Sequence, residues 1–259
     1  MQPISITPRQ TDILLLLYRY RFLNPIHIQK FLGHKSHTLI NQWLTDLTNQ
    51  KMLAKIDVKK SGTITSKPSL YYLGLKSKNI LKQNEKCNPD LLSRVYQEKR
   101  RSEAFRNHCL ALADLYFYFL DAAIKQSATL HFYTSTDISD FAYAPLPAPD
   151  AYVILEETNQ TSRYFLELID GGEKWFVVDR RIRQYISYFK KKYWQEHVQL
   201  PFPSILLICP NTKLQHHLHI LITKELKSEE VEIDFFTGIH ADIQQRGIQM
   251  DTWETIDEK

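Results

Sequence analysis

The chain has 259 residues, 43% hydrophobic and 24% charged, which is enough apolar material for packed cores and excludes wholesale disorder. No apolar run approaches the roughly 18 residues of a membrane span, and Cys87, Cys109 and Cys209 lie too far apart for a CxxC metal or redox motif, so they read as reduced thiols. The net charge of +4 conceals a split: residues 1–101 carry 18 Lys and Arg against 6 Asp and Glu, and the remainder 15 against 23.

A basic segment joined to an acidic one suggests a polyanion-binding module attached to a different one. Residues 1–9 show no charged region followed by an apolar one, so a cytoplasmic location and no membrane partner are expected.

In chain order, Thr7 reads as the N-cap of a first helix with Pro8 in its first turn, and Ile13, Leu14, Leu17 and Tyr18 recur at helical spacing up to about Tyr20. Asn24-Pro25 repeats the start signal for a short second helix stopped by Gly33. Ser36 opens a third helix with Leu39, Ile40, Trp43, Leu44 and Leu47 as its buried stripe, leaving His37, Thr38, Asn41, Gln42, Thr45 and Asn49 on or near the other side. Asn and Gln pair bidentately with adenine, and Thr suits a base edge or a thymine methyl.

Two apolar runs follow, 52–56 and 70–73, and the spacer between them holds Lys59, Lys60, Ser61, Gly62, Thr63 and Lys67. This predicts two strands joined by a flexible basic loop. Three helices, strand, basic loop and strand is the order of a winged helix-turn-helix, in which the third helix enters the major groove and the wing touches backbone or minor groove. The expected DNA contacts are Lys35, His37, Thr38, Asn41, Gln42 and Thr45 from the helix, and Lys59, Lys60, Thr63 and Lys67 from the wing. Winged helices also dock proteins, but the basic wing and recognition face favour DNA.

A short helix at 74–82 closes the module, so the reading is a winged-helix domain at 1–82, a linker at 83–97 with Asn88-Pro89 as a breaker, and a second domain at 98–259. The Lys99-Arg100-Arg101 run is either a solvated helix face or an extension of the DNA footprint. A long apolar helix from Ser102 is followed by predicted strands at 129–134, 151–156 and 164–169. Then come a helix at 174–194, a strand at 204–209, a helix at 213–226, a strand at 231–236 and a short helix at 239–245. This α-β-β-β-α-β-α-β order predicts a mixed α/β domain, one sheet flanked by helices.

Asp150 enters one of these strands and Glu167 closes the next, with Asp170 just beyond. Two carboxylates at adjacent strand ends can hold Mg2+, which polarises a phosphodiester and activates water. The order and these residues resemble the restriction-endonuclease-like PD-(D/E)xK nucleases, in which a lysine two positions after the second acid completes the site. Here that position is Ile169. A catalytic set of Asp150 and Glu167, with Mg2+ as cofactor, would therefore need Lys174, Arg180 or Arg183 from the next helix. In the competing reading Asp150 caps a turn while Glu167 and Asp170 make ordinary hydrogen bonds. Losing the lysine costs orders of magnitude in rate, which favours a nuclease-like fold without cleavage.

His216, His217 and His219 lack the four-residue spacing of a helical metal pair. Tyr185, Tyr188, Phe189 and Tyr193, following Arg180, Arg181 and Arg183, read as core aromatics with a solvated basic rim.

The Thr-Pro-Arg-Gln start, the segment ILLLLYRYRFL, the YYL strand after the wing, and PDAYVIL and FLELIDGGE before a helix with Arg and Tyr together resemble the replication-relaxation family over about residues 6–253. The resemblance implies winged-helix factors of bacterial plasmids and other mobile elements, linked to plasmid replication. Related sequences carry Glu-x-Asp in the second acidic strand; here Glu167-Leu168-Ile169-Asp170 is one residue longer, which does not support a catalytic role for Asp170. The expected function is sequence-selective binding of double-stranded DNA in replication initiation or control, with replication or relaxase proteins as candidate partners. The alternatives are a Mg2+-dependent DNA endonuclease or nickase, and a homodimeric transcriptional repressor.

Overall fold

A computed structural model describes residues 6–57 and 68–256, and the chain divides into two compact units, Met1–Asp114 and Leu115–Lys259. The first unit holds α1 (Pro8–Tyr20), α2 (Pro25–Phe31), α3 (His37–Asn49), β1 (Leu53–Ile56), β2 (Leu70–Leu73), α4 (Lys78–Leu81), α5 (Pro89–Ser93) and the start of α6 (Glu103–Lys125). Each of the first three helices begins where a polar cap satisfies an orphan amide. Thr7 and Gln10 form a reciprocal capping box, Asn24 accepts from the His27 amide, and Ser36 from the Leu39 amide. At the end of α2, Gly33 takes φ +58, its amide donates to the Lys30 carbonyl and the His34 amide to that of Gln29. This Schellman closure makes the turn into α3 short.

β1 and β2 pair antiparallel, and Leu23 adds a bridge to Tyr71 on the other side of β2. All four β2 residues are buried because that strand lies between two neighbours. The bridge carries no periodicity of its own and was not expected. Gly74, just past β2, donates its amide to the Met52 carbonyl, and a Cβ there would stand 2.5 Å from the Lys51 carbonyl oxygen. Gly74→Ala should therefore cost about 1–3 kcal/mol of stability through a forced backbone shift, read from the urea midpoint at unchanged slope.

Asn88-Pro89, expected to break structure, starts a helix as Asn24-Pro25 does: Asn88 Oδ1 accepts from the amides of Asp90 and Leu91. The Asn88 amide in turn donates to the Tyr18 hydroxyl, and Leu92 and Val95 are buried. Arg21 pairs with the buried Glu98 at 2.5 Å, and the guanidinium groups of Arg21 and Arg101 lie 4.4 and 5.0 Å from the Phe105 ring centroid.

Past Asp114, the second unit continues α6 into β3 (Thr129–Thr134), β4 (Ala151–Glu156), β5 (Thr161–Leu168), α7 (Trp175–Lys190), α8 (Tyr193–Val198), β6 (Ser204–Cys209), α9 (Thr212–Glu229), β7 (Phe235–Ile239), α10 (His240–Arg246) and β8 (Glu254–Thr255). One six-stranded sheet runs β3-β4-β5-β6-β7-β8. Its first three strands are antiparallel neighbours, β5, β6 and β7 are parallel, and β8 returns antiparallel on β7. Parallel neighbours require crossovers, which α7 and α9 supply. Alternate residues face opposite ways: Phe165, Ile205, Leu207 and Phe235 pack with Ile182 of α7 and Leu218 of α9, whereas Phe132 meets Tyr116 and Phe119 of α6. The result is three layers, with α6 on one face and α7 and α9 on the other.

Several boundaries differ from expectation: β5 starts at Thr161 rather than 164, α9 runs on to Glu229 rather than ending at 226, and two larger differences have a packing cause. The helix predicted over 174–194 is two helices, divided at Lys192, which takes φ 55. The break turns Trp194, 2% exposed, into an aromatic cluster with Tyr143, Tyr152 and Phe165, where its indole N–H donates to the Pro201 carbonyl. The strand predicted at 231–236 runs instead from Phe235 to Ile239, because β6 offers partners only from Ile205, opposite Phe235, to Cys209, opposite Ile239. Among the described residues no helix is long and apolar enough to cross a membrane.

Candidate functional site

Two groups of side chains stand out, one in each unit. In the first, α3 buries Ile40, Leu44 and Leu47 completely. Leu39 and Trp43, expected in the same stripe, are half-buried, and Trp43 meets His34 edge-on. The opposite side presents His37, Thr38, Gln42 and Thr45 as exposed residues and Asn41 as a half-buried one, with Lys35 exposed just before the helix. His37 Nδ1 lies 3.1 Å from the Asn41 amide nitrogen, and Thr45 donates to the Asn41 carbonyl at 2.8 Å. The row is therefore partly preorganised. Lys59, Lys60, Thr63 and Lys67, the expected wing contacts, lie outside the described residues.

In the second unit, the β4–β5 register pairs Ala151 with Leu166, which carries Asp150 opposite Glu167. Asp150 Oδ2 accepts from the Leu168 amide at 2.8 Å. Glu167 is 9% exposed and lies on the α7 side of the sheet. There Arg181 donates to Glu167 Oε1 from Nε at 2.9 Å and from a terminal nitrogen at 2.5 Å, and the buried Tyr185 hydroxyl donates to the same oxygen. Arg181 also donates to the carbonyls of Pro147 at 2.7 Å and Ala148 at 2.6 Å. One guanidinium thus ties together a strand, a helix and the proline-rich loop before β4.

The cations named from sequence are placed elsewhere. Lys174 stands at the N-cap position of α7 with its ammonium 5.9 Å from the Phe176 ring centroid, Arg183 pairs with Glu225 at 3.2 Å, and Arg180 is exposed. Arg181 is the residue that sequence reasoning missed in this role. Its signal was the four-residue spacing to Tyr185, which puts both side chains on one helix face.

Burial pushes the Glu167 carboxyl up to about 7; Arg181 opposes the rise, and the nearby Asp150 carboxylate adds to it. In the unfolded chain this group ionises near 4.5. The folded protein therefore holds the extra proton between those values, and the stability this contributes is complete below about pH 4.5 and lost as pH rises through 7. A shift of this size corresponds to roughly 3 kcal/mol. Glu167→Gln should flatten that part of the stability profile, measured by urea unfolding from pH 4 to 8.

Mg2+ keeps several waters and is usually held by one or two carboxylates, which must be ionised and free of a competing cation. Here one Glu167 oxygen is already taken by a guanidinium and a phenol, and no group of three or more His, Cys, Asp or Glu suited to a metal exists among the described residues. These residues do not fit the ion, and the pairing suits a structural tie instead.

Fold and sites together define a two-unit protein, three helices and a two-stranded sheet in winged-helix order followed by a mixed α/β unit whose six-stranded sheet is flanked by helices. The chain belongs to the replication-relaxation family, whose model matches residues 14–201. No curated protein matches it in sequence. Among solved structures, a mutant ZitR of Lactococcus lactis is similar at 20% identity and TM-score 0.27, over 48% of this chain and 77% of that one. The restriction endonuclease FokI is similar at 12% identity and TM-score 0.34, and its DNA-bound form at 12% and 0.28; both matches cover 97% of this chain, which spans about half the length of FokI at 48%.

Proposed function

We propose that this chain is a sequence-selective double-stranded DNA-binding protein acting in the initiation or control of replication of a bacterial plasmid or mobile element. In this reading α3 lies in the major groove, and the second unit is a nuclease-like domain that contacts DNA or replication and relaxase proteins without cutting. The observation that carries it is the polar row of α3, exposed outward from a fully buried stripe. Membership of the replication-relaxation family supports the replication context. The tie between Arg181 and Glu167 supports the absence of cleavage.

Selection of bound duplexes from a random pool, followed by affinity measurements at several salt concentrations, tests the reading. Enrichment of one sequence, lost when Asn41 and Gln42 become Ala, is the expected result. The nuclease alternative retains one favourable observation, the cross-strand placement of Asp150 opposite Glu167. Plasmid nicking that requires both Mg2+ and Asp150 would establish it in place of the non-cleaving reading.

A further inference from the structure

Charge in the second unit is segregated by layer. Residues 174–192, which include α7, carry seven Lys and Arg against one acidic residue, and 212–229, which form α9, carry three against two. The rest of the sequence from 115 onward holds four against eighteen. With Arg181 turned inward to Glu167, these two segments still carry nine Lys and Arg against three acidic residues, so the outer helical layer of an acidic unit is basic.

Trp175 and Phe176 begin α7 with 45% and 63% of their surface exposed, although large aromatic side chains are ordinarily placed in cores. Each has a lysine ammonium near its ring, Lys213 at 5.6 Å from the Trp175 centroid and Lys174 at 5.9 Å from that of Phe176. His217, held by Asp179 at 2.9 Å, packs against Trp175 with ring centroids 4.3 Å apart and fixes the indole. Towards the other end of α7 a groove of about 420 Å³ opens between α7 and α9, walled by Arg183, Lys190 and Lys191 on one side and Glu225 and Glu229 on the other. Arg183 pairs with Glu225, whose side chain is 17% exposed, and Lys190 with Glu229, a pair exposed on both sides that holds weakly enough for a phosphate to displace the carboxylate.

We propose that this α7–α9 face binds single-stranded DNA, stacking a base on Trp175 or Phe176 and running the phosphates along α7 to the groove. Aromatic platforms beside a cationic track are the chemistry of single-strand binding, since an unpaired base exposes a π-face that a duplex keeps stacked. α7 has 16 residues and spans roughly 24 Å, room for a site of about four nucleotides. The inference is independent of the winged-helix reading, because every residue it uses lies in the second unit.

The experiment measures binding of the full chain to a labelled oligothymidine and to a duplex across a salt series. Trp175→Ala with Phe176→Ala should weaken single-strand binding at least five-fold, Trp175→Tyr should retain most of it, and Arg183→Gln with Lys190→Gln and Lys191→Gln should flatten its salt dependence. Duplex binding should be unchanged in all of these variants, with circular dichroism melts confirming their folding. The proposal is overturned if the wild-type chain does not bind the oligothymidine, or if folded aromatic and cationic variants bind it as well as wild type. It is equally overturned if Lys59→Ala with Lys60→Ala removes single-strand binding while the α7 variants do not.

Discussion

Replacing Arg181 by Ala is expected to lower stability by about 3–5 kcal/mol near neutral pH, the range seen when one partner of a buried ion pair is removed. The cost arises on both sides of the contact. Glu167 keeps its burial but loses two donors, and the Pro147 and Ala148 carbonyls lose theirs. The deficit should grow as pH rises above 7, because Arg181 favours ionisation of the buried Glu167 and without it the carboxyl must stay protonated. A double variant, Arg181→Met with Glu167→Gln, should recover much of the loss, since it removes both charges and keeps the volume near native. Urea unfolding of the two single variants and the double one gives the coupling directly. A coupling below about 0.5 kcal/mol would mean that the guanidinium is not the tie.

The second large effect is expected on DNA. If α3 reads bases, each bidentate contact contributes about 1–3 kcal/mol of discrimination, so Asn41→Ala with Gln42→Ala should reduce preference for the selected sequence roughly 30-fold or more. Affinity for random duplex should change little, because that component comes from phosphate contacts. Lys35→Ala should do the converse, weakening all duplexes alike and lowering the salt slope by about one. Both readouts come from the same salt series on the selected and a scrambled duplex. Equal losses on the two duplexes for the Asn41 and Gln42 variant would assign α3 a backbone role only.

Much of this molecule is legible along the chain. Thr7, Asn24 and Ser36 announce their helices because a cap acts on amides two or three residues away, and Gly33 announces a stop because left-handed backbone is a local property. The strands at 129–134, 151–156 and 204–209 appear at their predicted bounds, since their apolar runs are short and sharply flanked. Asp150 and Glu167 could be paired from sequence because both sit at the ends of adjacent strands.

What resisted reading depends on partners distant in sequence. Trp194 breaks a helix to reach its aromatic cluster, and the last long strand starts where β6 supplies its partners. The choice among Lys174, Arg180, Arg181 and Arg183 turns on the angle at which α7 lies on the sheet, and packing sets that angle. Local chemistry along the chain therefore settles the element order, the charge split and the polar row of α3. The folded sheet alone decides that Arg181 turns inward to Glu167 while the other basic residues of α7 and α9 line the outer side of an acidic unit. Caps and periodicity act over a few residues, whereas an ion pair and a surface exist only after strands and helices have been brought together.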